Sequence, residues 1–137
     1  MSGSVRLVWG DAFMAYRLSD DHPLQPLRVK LTVDLIRELG LDAFADVVEP
    51  RLASDEEIAL CHAPDYVSLV RRLSAGEPLD RHALGAGFGT ADNPVAPGMH
   101  GACAAVVGGS LVAAEAVHSG EALHAFNPAG GLHHAMR

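Results

Sequence analysis

No run of basic residues longer than the pair Arg71–Arg72 occurs in the chain. Ten Lys and Arg stand against seventeen Asp and Glu, a formal charge of −7. Nothing is therefore clustered to neutralise successive phosphates, and nucleic acid is not expected as a direct ligand. The opening stretch "MSGSVRLVWGDAF" lacks the basic start and continuous apolar core of a signal peptide. The longest apolar run, Ala102 to Ala114, holds two glycines and falls short of the roughly 20 residues that span a bilayer. A soluble, cytoplasmic protein with no membrane partner is expected. Only two cysteines occur, Cys61 and Cys103. Their separation suits neither a metal knuckle nor a redox pair, and their apolar neighbours point to reduced, buried thiols. Internal repeats and low-complexity tracts are lacking too.

What is present is a composition that folds. Hydrophobic residues make up 49% of 137 and charged residues 20%, enough for one compact domain with a substantial core. "VRLVWG" (Val5 to Gly10) and "DVVEP" (Asp46 to Pro50) read as short buried strands, and "ALHAF" (Ala122 to Phe126) as a third. Between Pro26 and Leu39, Leu27, Leu31, Leu35 and Leu39 recur every fourth residue, with Val33 and Ile36 widening the stripe and Gly40 placed to end an amphipathic helix. Ser54 and Glu57 have capping-box spacing for a short helix through Leu60. Pro64 starts another that stops at Gly76. Gly76 to Gly98 is rich in Gly and Pro and reads as a long irregular segment. From Met99 to Val117 apolar residues follow helical spacing, with Ala, Gly and Ser leaving room for close packing on the other faces. Strands alternating with helices predict a three-layer α/β fold with a parallel sheet.

Two motifs invite chemistry. "GAGFGTAD" alternates Gly85, Gly87 and Gly89 near Asp92, but its third glycine is misplaced for a dinucleotide loop, and a strand before and a helix after are lacking. His22, His62, His82, His100, His118 and His124 show no zinc-site spacing; His118 falls at an expected helix C-terminus. The pair His133 and His134 is different. It follows a predicted buried strand, where catalytic groups of parallel sheets collect, and Gly130 and Gly131 supply the backbone freedom to turn two adjacent imidazoles into one cleft.

The segment "GGLHHA" resembles the tandem-histidine motif of the histone deacetylase superfamily, whose fold is arginase/deacetylase-like. "HPLQPLRVKLTVDLI" resembles that family's stretch from His-Pro through Pro-x-Arg into the first helix. "GFGTADNPVAPGM" resembles its Gly-x-Gly-x-x-Asp-x-Pro-Val loop, and "VVGGSLVAAEAV" the glycine-containing helix that follows. The wording "GTADNPV" with "PGMH" is most similar to the acetoin-utilisation branch.

The resemblance implies zinc-dependent hydrolysis of acetylated amines such as ε-N-acetyl-lysine, on a protein or a small molecule. His133 and His134 would be the acid and base pair, and Asp92 a rim group accepting hydrogen bonds from the substrate backbone. Arg28 would stand at the inner end of an acetate channel, with Gly130, Gly131 and Leu132 lining the foot of the pocket. The family's zinc ligands, two of them in an Asp-x-Asp-x-His segment, and its carbonyl-polarising tyrosine lie downstream of the histidine pair. Residues 1–137 are therefore expected to be the N-terminal part of a single deacetylase domain, with no metal bound by this chain, no activity alone, and self-association through an exposed sheet edge. The reading that stands beside it is a catalytically inactive module for acyl-lysine binding or assembly. A ureohydrolase of related fold lacks support, because aspartate-rich metal motifs are missing.

Overall fold

The computed structural model describes residues 5–130. In chain order it contains β1 (Val5–Val8), a 3-10 turn (Asp11–Ala15), α1 (Leu27–Glu38), a second 3-10 turn (Leu41–Phe44) and β2 (Ala45–Val48). There follow α2 (Asp55–Ile58), α3 (Pro64–Ser74), α4 (Arg81–Gly85), α5 (Met99–His118) and β3 (His124–Phe126). The three strands form one parallel sheet in the order β2-β1-β3, with Val5 opposite Ala45 on one side and His124 on the other. The three predicted strand segments are thus parallel neighbours, each shorter than its apolar run. Leu7 and Val8 in the central strand are both buried. Successive strand residues face opposite ways, so β1 is covered on both sides, as a sheet layered between helices requires.

The helix starts follow their local chemistry. Ser54 caps α2: its hydroxyl accepts from the Glu57 N–H at 3.2 Å, and the Glu57 carboxylate accepts from the Ser54 N–H at 2.8 Å. Arg51 grips the same carboxylate with two nitrogens, at 2.7 and 2.6 Å, and reaches Glu115 of α5 at 2.9 Å. The Arg51 guanidinium, helped by the Ser54 N–H, pulls the Glu57 carboxyl down to about 2. The helix ends at Ile58, short of Leu60. Pro64 opens α3 at its first turn, where its missing N–H costs nothing. The segment from Gly76 to Gly98 is not wholly irregular, since α4 lies within it; the Asp80 carboxylate caps α4 by accepting from the Ala83 N–H at 2.7 Å.

In α1 only part of the expected apolar stripe is covered. The helix buries Val29 and Val33, while Leu27, Leu31, Leu35 and Leu39 are 53–62% exposed. The helix is apolar on two faces, and Val29, on the face of the compact β-branched residues, joins one core cluster with Val8 of β1, Phe13, and Ala105 and Val106 of α5.

The last long helix, α5, is long and apolar enough to cross a membrane by length and composition. Part of that apolar surface lies inside the domain: Ala102, Ala104, Ala105, Val106 and Ala116 are buried while Ala114 and Val117 are exposed, and the helix touches β1, β3, α3 and the first 3-10 turn. Two glycines permit this closeness. A Cβ on Gly108 would lie 1.8 Å from the Arg51 carbonyl oxygen, and one on Gly109 would lie 2.7 Å from Cζ of Phe13. The Ala53 N–H crosses the same gap to donate to the Ala104 carbonyl at 3.0 Å. The end of β3 is tied to α5 as well, where the Asn127 amide donates to the Val106 carbonyl at 3.2 Å and to the Ser110 hydroxyl at 3.0 Å.

Candidate functional site

The strand-to-helix segment after β1, the helices α2, α3 and α5, and the loop before α5 enclose a cavity of about 490 Å³. Tyr16 enters from the first of these, His62 and Tyr66 from the start of α3, Phe88 and Asp92 from the loop, and Cys103 from α5. Three of the rings form a continuous wall: His62 stacks on Tyr66 with centroids 5.8 Å apart, and Tyr66 on Phe88 at 5.6 Å. Such stacked pairs contribute about 0.5–1.5 kcal/mol beyond their area. Phe88 belongs to a second core cluster with Leu69, Leu73, Ala83 and Met99, so this wall is anchored in the domain interior.

On the opposite side, His100 and Asp55 hold the start of α5. The His100 Nε2 lies 3.0 Å from Asp55 Oδ1, the His100 N–H donates to the Ser74 hydroxyl at 3.1 Å, and Arg71 pairs with the other Asp55 oxygen. Arg71, with His100 behind it, keeps the Asp55 carboxyl below the usual carboxylate range. Burial pushes the Tyr16 and Tyr66 phenols up, Tyr16 against an opposing pull from the Arg28 charge. The cavity thus offers neutral phenols and aromatic faces inside and a carboxylate at its mouth. That arrangement suits a ligand with an apolar stem and hydrogen-bonding groups near the surface.

Both cysteines depart from the expected burial in different ways. Cys61 is exposed, because α2 has ended and the chain there lies on the surface; Cys103 is partly buried in the cavity wall. Desolvation pushes the Cys103 thiol up to about 11, so at neutral pH it is protonated and a poor nucleophile. Iodoacetamide at pH 8 is expected to label one cysteine per chain quickly, mapped to Cys61 by peptide mass. Cys103 should react only when denaturant is added, and rapid labelling at Cys103 in the folded protein would contradict this picture.

The sequence-derived site residues are distributed as follows. Asp92 is exposed and lines the cavity mouth. Arg28 is the second residue of α1, exposed, with its charge felt at Tyr16. The turn leading to it is fixed by His22, whose Nδ1 accepts from the Leu24 N–H at 3.0 Å, and by Gln25, whose amide donates to the carbonyls of Ser19, Asp20 and His22. Gly130 is partly buried just after the turn closed by the Ala129 N–H donating to Asn127 Oδ1 at 3.0 Å. Gly131, Leu132, His133 and His134 lie outside the described residues. Asp92 and Tyr16 are therefore brought to one cavity, with Arg28 beside Tyr16. Tyr16, Tyr66, Phe88 and Cys103 were not singled out from sequence. The i,i+4 spacing of His62 with Tyr66 and of Met99 with Cys103 was the available signal, and it is the same spacing that an ordinary core face shows. Among the described residues no three His, Cys, Asp or Glu side chains come together in a group able to hold a metal ion.

Residues 22–137 match the family described as the histone deacetylase domain. The chain is 42% identical over 130 residues to the acetoin utilization protein AcuC of Bacillus subtilis (strain 168), covering 95% of this chain and 34% of that protein. It is 37% identical over 129 residues to the AcuC protein of Staphylococcus aureus (strain MRSA252), covering 94% and 33%. With AcuC of Staphylococcus xylosus the identity is 34% over 136 residues, covering 99% and 35%. The chain spans about a third of the length of these relatives. The parallel sheet, the motifs carried on its loops and a match over most of its length make the chain a member of the histone deacetylase domain family.

Proposed function

We propose that this chain supplies the substrate-positioning and proton-transfer part of a deacetylase that hydrolyses acetylated amines of the ε-N-acetyl-lysine kind, in the cytoplasm. The observation that carries the reading is the cavity on which Asp92 and Tyr16 converge. Two walls of that cavity come from segments that resemble the family, the loop of Asp92 and the helix α5, and the rest from Tyr16, Leu18 and the α2–α3 region.

Each residue then has a definite task. Asp92, at the mouth, accepts hydrogen bonds from the substrate backbone and fixes how deep the acylated side chain enters. Arg28, beside Tyr16, offers a permanent cation to a departing acetate. Gly130, Gly131 and Leu132 would, by the resemblance, line the foot of the complete enzyme's pocket. His133 and His134 move protons, one away from the attacking water and the other to the leaving amine, work suited to a side chain that titrates near neutrality. Zinc, which the family implies, supplies Lewis-acid activation of water when it is bound. By the resemblance, its ligands would lie in a segment downstream of the histidine pair.

The test uses an extended chain, in which this sequence is continued to the full length of its AcuC relatives. Asp92→Ala is expected to raise KM for an acetyl-lysine peptide by about 10-fold or more, the loss of a charge-assisted hydrogen bond, with metal content unchanged. A variant that lost zinc but kept its KM would place Asp92 at the metal instead and overturn this assignment.

A further inference from the structure

The loop that carries Asp92 is closed on itself. It leaves the core at Phe88, which is 4% exposed, and returns at Pro94. Between them Asn93 makes three hydrogen bonds. Its backbone N–H donates to the Thr90 hydroxyl at 3.0 Å, its side-chain amide donates to the Gly87 carbonyl at 3.1 Å, and its carbonyl accepts from the Gly89 N–H at 3.0 Å. Gly87 and Gly89 take φ of +89° and +84°, left-handed values that only glycine adopts cheaply. Pro94 restricts Asn93 to extended backbone. A Cβ at Gly89 would lie 2.8 Å from Cδ1 of Leu79, so the loop also rests on the segment entering α4.

We infer that Asn93 and Thr90 are positioning residues, a staple that holds the Asp92 carboxylate at the cavity mouth before any substrate arrives. The inference rests on the reading of Asp92 as a substrate-binding group. The physical reason is conformational entropy. A five-residue loop (89–93) free to move would have to be ordered each time a ligand bound, at a cost in affinity. Here the ordering is done in advance by one amide and one hydroxyl. Neither touches the reacting bond, so their effect should fall on binding and not on turnover.

The extended chain again provides the test, with Asn93→Asp and Thr90→Val as the disrupting variants. Asn93→Asp removes the amide donor and sets a carboxylate against the Gly87 carbonyl; Thr90→Val keeps the shape but removes the hydroxyl acceptor. Each is expected to raise KM about 3- to 10-fold while kcat stays within about 2-fold, and to speed amide hydrogen exchange at Gly89 and Asn93. Thr90→Ser, which keeps the hydroxyl, should restore both. Combined with Asp92→Ala, Asn93→Asp should add no further rise in KM, because the staple acts only through Asp92. Unchanged KM in both disrupting variants, or a rise that adds fully to that of Asp92→Ala, would overturn the inference. If Asp92→Ala itself leaves KM untouched, the substrate reading falls. The staple is then judged by exchange alone, and unaltered exchange in Asn93→Asp overturns it too.

Discussion

Gly108→Ala is expected to unfold the protein. Alanine is the better helix former by about 1 kcal/mol, and at an open position of α5 that gain should appear. Position 108 is not open, since the added methyl would sit 1.8 Å from the Arg51 carbonyl oxygen, 2.8 Å from its carbon and 2.9 Å from the Ala53 nitrogen. Those atoms are backbone and cannot rotate aside. The segment from Arg51 to Ala53 must move off the helix, breaking the hydrogen bond from Ala53 to Ala104, re-exposing Ala53 and dislodging Arg51 from Glu57 and Glu115. A loss above about 4 kcal/mol follows from this combination of overpacking and a broken buried hydrogen bond, a large part of a typical domain's stability of about 5–15 kcal/mol. Far-UV circular dichroism in a urea titration measures it. Gly109→Ala, which meets the end of the Phe13 ring instead, should cost about 1–3 kcal/mol. Gly101→Ala, with nothing within 4 Å of its Cβ, should be neutral or stabilising by up to about 1 kcal/mol. Equal behaviour of all three variants would refute the packing argument.

Much of this fold was legible because short-range rules and tertiary packing agree. The capping box at Ser54 and Glu57, the proline opening α3 and the glycine after α1 each act within one helical turn, and each is where the sequence puts it. The parallel sense of the sheet followed from strands alternating with helices. The small residues of α5 correctly signalled close packing on several sides. The leucine stripe of α1 misled for a definite reason. Periodicity reports that a face is apolar but not which apolar face finds a partner, and here it is Val29 that joins the core with β1 and α5. The helix α4 was hidden by the glycines and prolines around it, although Asp80, three residues before Ala83, is an N-cap in the ordinary sense.

The candidate site was legible in a different way. Asp92 and Arg28 were proposed by resemblance of motifs, because a carboxylate before a proline or an arginine early in a helix has many uses, whereas the terminal glycines and histidines also stood out by their place after a predicted strand. What no local rule reveals is convergence. Tyr16 and Cys103 are 87 positions apart by their numbering in the sequence, and only the return of α5 across the sheet sets them on one wall. The same holds for the contact between Asp55 and His100, which depends on how α2 and α5 meet. The role of Asn93 needed geometry too: the sequence shows an asparagine before a proline, and the structure shows which three groups it joins.

His134→Ala in the extended chain should lower kcat for acetyl-lysine peptide hydrolysis by ~100-fold or more, in line with the removal of a positioned general acid or base, while zinc content holds. Two adjacent imidazoles can divide proton transfer between them only if the backbone turns both toward one cleft, a freedom that glycines such as those at 130 and 131 allow. They are a poor basis for holding the metal by themselves: a catalytic zinc takes three protein ligands, and neighbouring residues cannot supply two of them without strain. The same reasoning predicts that residues 1–137 alone, even with zinc added, hydrolyse no acetyl-lysine above the uncatalysed rate. One peptide assay on three samples decides the matter: the 137-residue chain with zinc, the extended chain, and the extended chain with His134→Ala. Turnover by the 137-residue chain that a chelator removes would mean that its own histidines and acids assemble a metal site. Loss of zinc together with activity in His134→Ala would make that residue a ligand. Retained zinc with turnover reduced about 100-fold leaves proton transfer as the work of His134.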